Sequence, residues 1–227
     1  MTARSLSIVI PVLNEAAGVA DAVQALAPLV ARGAQLLLAD GGSADDTLAR
    51  VKACAARVIS TQRGRALQMN AGARLATGGV LLFLHADTRL PANSDVVIAK
   101  ALDSGVQVWG RFDVRIDGRP RLLRIVAWLM NVRSRWSGIA TGDQAIFMTR
   151  AAFDEVGGFP VQPLMEDIEI SRRLLRLSRP ACLRAQVLTS GRRWESGGVW
   201  RTIFLMWRLR FAYWRGIAPE QLAALYR

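Results

Sequence analysis

The feature that most constrains this chain is a repeated alternation of short, continuous apolar runs with longer segments of helical periodicity. Ser7-Ile-Val-Ile-Pro11 is a β-branched run ending in proline, and Asn14 stands where a cap opens an apolar-periodic helix through Ala31, closed by Gly33. Leu36-Leu-Leu-Ala-Asp40 reads as a second strand, Gly41-Gly-Ser43 as a turn, and Asp45-Asp46 opens a helix at its positive dipole end. Arg57–Ser60 reads as a third strand and Ala66–Ala76 as a helix. Val80-Leu-Leu-Phe-Leu84 has no polar interruption, as in a strand covered on both faces. This alternation implies right-handed crossovers and a mainly parallel central sheet flanked by helices, an α/β, Rossmann-like class. Ligands of such sheets bind at the carboxyl ends of the strands. Glu15, Asp40 and Asp87 fall at such ends; each either faces one crevice or caps the helix that follows.

The second half reads as an apolar-basic helix over Leu122–Arg135, a strand over Ala145–Thr149 and a helix from Glu166 to Leu177, with no linker or repeat. A single domain over residues 1–227 is the expectation. At 227 residues and 52% hydrophobic content the chain can bury a sizeable core. Cys54 and Cys182 form no Cys-x-x-Cys pair, and His85 is the lone histidine, so cysteine-zinc sites and multi-histidine metal cages are excluded. The formal charge is +12; Lys52 and Lys100 are the only lysines among thirty basic residues, so arginine carries nearly all of it. Arginine forks bind phosphates bidentately, which points to anionic partners. No run reaches the ~18 apolar residues of a membrane span, and Met1-Thr-Ala-Arg-Ser5 leads into the first strand without a signal-peptide core. A cytoplasmic location is expected.

Six motifs then occur in order: Ser7-Ile-Val-Ile-Pro-Val-Leu-Asn-Glu15, Asp40-Gly-Gly-Ser-Ala-Asp-Asp-Thr47, Arg63-Gly-Arg-Ala66 with Met69-Asn-Ala-Gly72, His85-Ala-Asp87, Gly142 through Val156-Gly-Gly-Phe159, and Glu166-Asp167. Together they resemble a family 2 glycosyltransferase, an inverting enzyme with the GT-A nucleotide-sugar-binding fold. Residues 1–118 then correspond to the nucleotide-sugar half, 119–195 to the acceptor and catalytic half, and 196–227 to C-terminal amphipathic helices. His85-Ala-Asp87 stands where the family carries D-x-D, which resembles a short single-domain subset.

The resemblance implies a donor that is a nucleotide-diphosphate sugar, UDP- or GDP-linked. Pro11, Val12, Leu13 and Glu15 would lie along base and ribose, and Asp40 would accept the base's imide hydrogen. Arg65, with Arg63, sits in a glycine loop at a helix start, which suits phosphate or is a solvated turn. Asp87 is the expected ligand for Mg²⁺ or Mn²⁺, and His85 either coordinates, favouring Mn²⁺, or packs. Glu166 and Asp167 either cap a helix or act in transfer, Asp167 as general base and Glu166 orienting it; Glu169 could share their face. Gly142, Asp143 and Gln144 are candidates for donor-sugar and acceptor contact, and so is Trp194. The processive motif Q-x-x-R-W keeps Arg193-Trp194 but has Ser190 in the glutamine position, which implies single addition.

From Trp200 to Trp214, helical spacing aligns Trp200, Ile203, Phe204, Trp207, Phe211 and Trp214, with Arg201, Arg208 and Arg215 on a second stripe. Such a helix either docks peripherally on the inner face of the cell membrane, where a lipid-linked acceptor is available alongside small-molecule ones, or packs on the catalytic domain. Two other functions compete. A sugar-phosphate nucleotidyltransferase usually needs a glycine-rich first loop, which Pro11–Glu15 lacks. A non-catalytic polyanion or membrane-surface binder would use the net charge; nucleic acid is not expected as a partner.

Overall fold

Strand β1 (Leu6–Val12) runs inside the sheet between β2 and β4, because a strand that is apolar on both faces apart from Ser7 is stable only when both faces are covered. The computed structural model describes residues 5–52 and 57–226; Cys54 lies outside them. After β1 come α1 (Val19–Ala25), α2 (Ala27–Ala31), β2 (Gln35–Asp40), α3 (Thr47–Lys52), β3 (Arg57–Ser60), α4 (Arg65–Leu75) and β4 (Val80–Phe83). The single helix expected through Ala31 is broken at Leu26, with Pro28 just inside the first turn of α2, where a missing N–H costs nothing.

The chain continues through β5 (Thr88–Arg89), α5 (Ser94–Asp103), β6 (Trp109–Asp117), α6 (Leu122–Ser137), a 3₁₀ turn at Gly142–Gln144, β7 (Phe147–Thr149), α7 (Arg150–Glu155) and α8 (Glu166–Leu174). It closes with β8 (Ala181–Ser190), α9 (Arg192–Gly197), α10 (Val199–Trp214) and α11 (Pro219–Tyr226). One eight-stranded sheet has the order β3-β2-β1-β4-β7-β6-β8-β5. The pairings β1–β2, β1–β4, β2–β3 and β6–β8 are parallel, and antiparallel pairing is confined to β4–β7, β6–β7 and β5–β8. This is the expected mixed α/β sheet, mostly parallel and flanked by helices. It draws strands from both sides of residue 118.

Close packing sets the height of the helices over this sheet. A Cβ on Gly72 of α4 would lie 2.3 Å from Val9 Cγ1, so glycine is what lets α4 rest directly on β1. In the second half Asn131 clamps α6 to β6: its Oδ1 accepts from Val114 N–H at 2.8 Å and its Nδ2 donates to the Val114 carbonyl at 2.9 Å. Fully buried Arg111 pairs with Asp113 and donates to the Asn131 carbonyl at 3.1 Å. The C-terminal helices attach through a small separate core of Met165, Ile168, Leu209 and Leu222, which places α10 and α11 against the start of α8. Ile203, aligned in sequence with the aromatic stripe, packs against the main core, beside the inward face of α10 that Thr202 and Leu209 define. Among the described residues no helix is long and apolar enough to cross a membrane.

Candidate active site

The register Val12↔Asp40 brings the carboxyl ends of β1 and β2 level, and Leu84 N–H donates to the Val9 carbonyl, holding the exit of β4 beside β1. A crevice opens above these ends. One cavity of about 580 Å³ is lined by Pro11, Val12, Leu13, Glu15, Arg63, Arg65, Gln68, His85 and Asp87 from the first half, and by Leu164, Glu166 and Tyr226 from the second. An adjoining cavity of about 250 Å³ shares Arg65, His85, Asp87, Glu166 and Tyr226. It adds Gly142, Asp143, Asp167, Ser190, Arg193, Trp194 and Arg210. The first lies within the volume range of small-ligand pockets, and the two together form a cleft with two compartments.

The first compartment is rigid because its loop is pinned to the next one. Asn14, a non-glycine residue at φ 54°, accepts Ala44 N–H at 2.8 Å, and the Glu15 and Ala16 amides donate to Thr47 Oγ1 and Asp45 Oδ2. Gln68 Nε2 donates to the Val12 and Ala39 carbonyls at 2.7 and 2.9 Å, satisfying both strand ends. Asp40 stands at the end of β2 as expected. Its carboxylate accepts from Gly42 N–H and from the amide and hydroxyl of Ser43, is 2% exposed, and lies outside the cavity lining.

Arg65 opens α4 and reaches into both compartments. Its Nη1 lies 3.4 Å from Glu166 Oε1, a carboxylate buried to 3% exposure, so one guanidinium joins the wall of the first compartment to the acidic pair at the start of α8. Met165, just before that pair, adopts φ 66°; a left-handed non-glycine residue costs roughly 1–2 kcal/mol and aims Glu166 and Asp167 inward together. Asp167 Oδ2 accepts Gly142 N–H at 3.0 Å and Oδ1 accepts its neighbour's, Ile168 N–H, at 2.8 Å. Burial and then the adjacent Glu166 charge push the Asp167 pKa up to about 6, against the pull of those amides and Arg65. Such a carboxylate is poised to take a proton near neutral pH.

His85 and Asp143 meet across the second compartment, Nδ1 to Oδ1 at 3.2 Å. Burial acts to raise the Asp143 pKa, yet the His85 contact and the Arg65 and Arg193 charges outweigh it and hold the carboxyl below its ordinary value. The other imidazole edge abuts Gly142, where an added Cβ would lie 2.3 Å from Nε2. The ring thus fills the space beside the 142–144 turn while also lining both compartments. Gln144, read from sequence as a substrate contact, is corrected: it is fully buried and braces the turn, its Oε1 accepting Thr141 N–H and its Nε2 donating to Asn131 Oδ1. Glu169 likewise turns away, pairing with Arg173 at 3.3 Å.

Asp87 lies where the compartments meet. Its side chain is 32% exposed, with Arg192 Nη2 at 3.9 Å and the Thr88 hydroxyl donating at 3.4 Å, so its oxygens retain free coordination. Among the described residues no cluster of three or more metal-ligating side chains occurs. A single carboxylate fits a cation that takes its remaining ligands from phosphate oxygens and water, as Mg²⁺ and Mn²⁺ do.

Sequence reading missed three contributors. Tyr226 sits between the compartments, its hydroxyl accepting from Arg193 Nη1 and its ring 3.8 Å from that guanidinium; burial pushes the phenol pKa up. Arg133 presents two buried nitrogens without partners in the field of Asp167 and Asp143, and burial lowers its pKa. Ser171 accepts Ala140 N–H at 3.1 Å and donates to the Asp167 carbonyl at 2.7 Å, tying α8 to the turn. Arg193 was signalled by its motif, whereas nothing local to Tyr226 indicates where α11 returns.

The family model for glycosyl transferase family 2 matches residues 7–159, and these cover the pinned first loop, Arg65, Asp87 and the 142–144 turn. The chain belongs to glycosyl transferase family 2. Among curated proteins it is 40% identical over 97 residues to a PGL/p-HBAD biosynthesis glycosyltransferase of Mycobacterium bovis (strain BCG / Pasteur 1173P2), covering 40% of this chain and spanning 38% of that relative. The mannosyltransferase PcManGT of Pyrobaculum calidifontis, solved with GDP-Man and Mn²⁺, superposes with TM-score 0.66 at 19% identity, over 92% of this chain and 61% of that one. S. aureus TarS 1-349 in complex with UDP superposes with TM-score 0.66 at 16% identity, over 82% and 60%. At such identities these two structures establish the shared GT-A fold.

Proposed function

We propose that this family 2 chain transfers one sugar, with inversion, from a nucleotide-diphosphate donor to an acceptor hydroxyl or phosphate. The observation that carries the reading is the Arg65 guanidinium, which lines both compartments and contacts the buried carboxylate beside Asp167. In this reading Pro11, Val12, Leu13 and Glu15 hold the nucleoside end of the donor, and Arg65 and Arg63 meet its diphosphate. Asp40 shapes the turn beside the base. The occupants named for PcManGT and TarS support a GDP- or UDP-linked donor.

Asp167, raised to about 6, accepts the proton of the acceptor hydroxyl as its oxygen attacks the anomeric carbon. Attack from the face opposite the departing diphosphate inverts that carbon through an oxocarbenium-like state. Gly142 N–H orients the base, and Arg65 pairs with Glu166 beside it. Asp143, Arg193 and Trp194 wall the acceptor side. Asp87 would hold Mg²⁺ or Mn²⁺, and such a cation would supply positive charge against the leaving diphosphate. Mn²⁺ in the PcManGT complex supports this choice. The loss of the processive glutamine at Ser190 supports single addition.

A thermal-shift screen of UDP-, GDP- and dTDP-sugars with and without Mn²⁺ tests the reading. A donor at about 100 times its Kd stabilises the native state by about 2.7 kcal/mol, so its melting point must rise, further with Mn²⁺. Absence of a shift with every donor would overturn it.

A further inference from the structure

We infer that the outer face of α10 seats the protein on an anionic membrane interface. Trp200, Phe204, Trp207, Phe211 and Trp214 keep between 60% and 70% of their exposure, an unusual fraction for five large aromatic side chains on one helix. Their positions, i, i+4, i+7, i+11 and i+14, form a straight ridge along the sixteen-residue helix. The alternative use of this ridge, as packing on the domain, is filled by other residues: Thr202 and Leu209 are the buried side chains of α10, with Met206, Ala212 and Tyr213 beside them. A second ridge on α6, formed by Ile125, Trp128, Leu129, Val132 and Trp136, is exposed between 45% and 86%.

Charge selects the partner. Arg201, Arg208 and Arg215 run beside the ridge, exposed and without a carboxylate partner among the described residues. Two copies of the chain meeting on this face would set those rows alongside each other in a protein of formal charge +12. A layer of anionic headgroups neutralises them while the tryptophan rings enter the interface, the arrangement of interfacial amphipathic helices.

The docking face is also coupled to the site. At about 100° per residue, Arg210 falls roughly 80° from the ridge midline on the flank opposite the three arginines. Arg210, Met206 and Thr202 line the second compartment. The helix that meets the membrane is therefore a wall of the compartment that receives the acceptor; this coupling rests on the transferase reading, whereas the docking does not.

The test is sedimentation of the full chain with vesicles of phosphatidylcholine, with and without phosphatidylglycerol, and no nucleotide sugar present. The expected result is binding to the anionic vesicles with a blue shift of tryptophan emission. Replacing Arg201, Arg208 and Arg215 together by glutamine should weaken it on the order of 100-fold. The pair Trp207→Ala and Phe211→Ala should abolish the blue shift, and because both side chains are exposed the variant's circular dichroism should match wild type. Wild type that stays in the supernatant overturns the inference, as does undiminished binding of the arginine variant or a stable dimer that buries the ridge and ignores vesicles. Donor binding, measured without lipid, reports separately on the transferase reading.

Discussion

Asp167→Asn should cost activity and gain stability, and the two effects have one cause. Its carboxyl is raised from 3.8 to about 6 by burial and by Glu166. A carboxyl whose folded pKa exceeds the unfolded value holds its proton more tightly when folded, so the native state loses stability as pH rises from about 4 through 6 and bears the full penalty above 6. That rise in pKa sets a ceiling of about 3 kcal/mol at neutral pH. Asparagine removes that penalty but returns part of the gain. The carboxylate accepts from Gly142 N–H and Ile168 N–H through separate oxygens, and the single amide oxygen serves one of them. The lost hydrogen bond costs about 1 kcal/mol. A net gain of about 1–2 kcal/mol at pH 7.5 corresponds to a melting point higher by roughly 2–8 °C for a chain of this size. Near pH 4, where folded Asp167 is protonated and most of the penalty has gone, the variant should be no more stable than wild type. Calorimetric unfolding at the two pH values, with sugar transfer falling by about 10²–10⁴, checks the argument. A variant less stable than wild type at both pH values, or one that keeps its turnover, would refute it.

Three further outcomes follow from the same geometry. Turnover of the wild type should fall about tenfold per unit below pH 6, and Arg65→Ala should move this limb upward while weakening donor affinity, because Arg65 lowers the Asp167 pKa; a pH–rate profile with an unmoved limb contradicts the contact. Gly142→Ala should cost about 1–3 kcal/mol in stability and depress kcat more than donor affinity, since the added methyl meets His85 Nε2 and displaces the amide that holds Asp167. Asp87→Ala should remove the part of donor binding that Mn²⁺ supplies and leave the metal-free part, read by titration calorimetry with and without chelator.

Local pattern was sufficient for the first half. Unbroken apolar runs at Ser7–Pro11, Leu36–Asp40 and Val80–Leu84 can be satisfied only as doubly covered strands, and parallel strands joined by helices bring their carboxyl ends to one edge. Hence Glu15 and Asp87 could be assigned to one crevice without coordinates, whereas Asp40, read at the same edge, spends its carboxylate on the Gly42–Ser43 turn outside the cavity lining. Strand β6 does alternate, with Phe112, Val114 and Ile116 set against Arg111, Asp113, Arg115 and Asp117, but such a pattern marks a strand and not its pairing with β8, which only the tertiary structure supplies. Arg111 is tolerated in the interior only because Asp113 and the Asn131 carbonyl, distant or differently spaced in sequence, surround it.

The sequence by itself determined the α/β class and the order of the motifs, since these depend on periodicity and on residue types within a few positions. Tertiary structure alone decided that Gln144 braces a turn, that Tyr226 returns to the cleft and that the α10 aromatics face outward. Each of these outcomes depends on which distant surface a side chain meets, and burial and hydrogen-bond satisfaction are settled across the fold rather than along the chain.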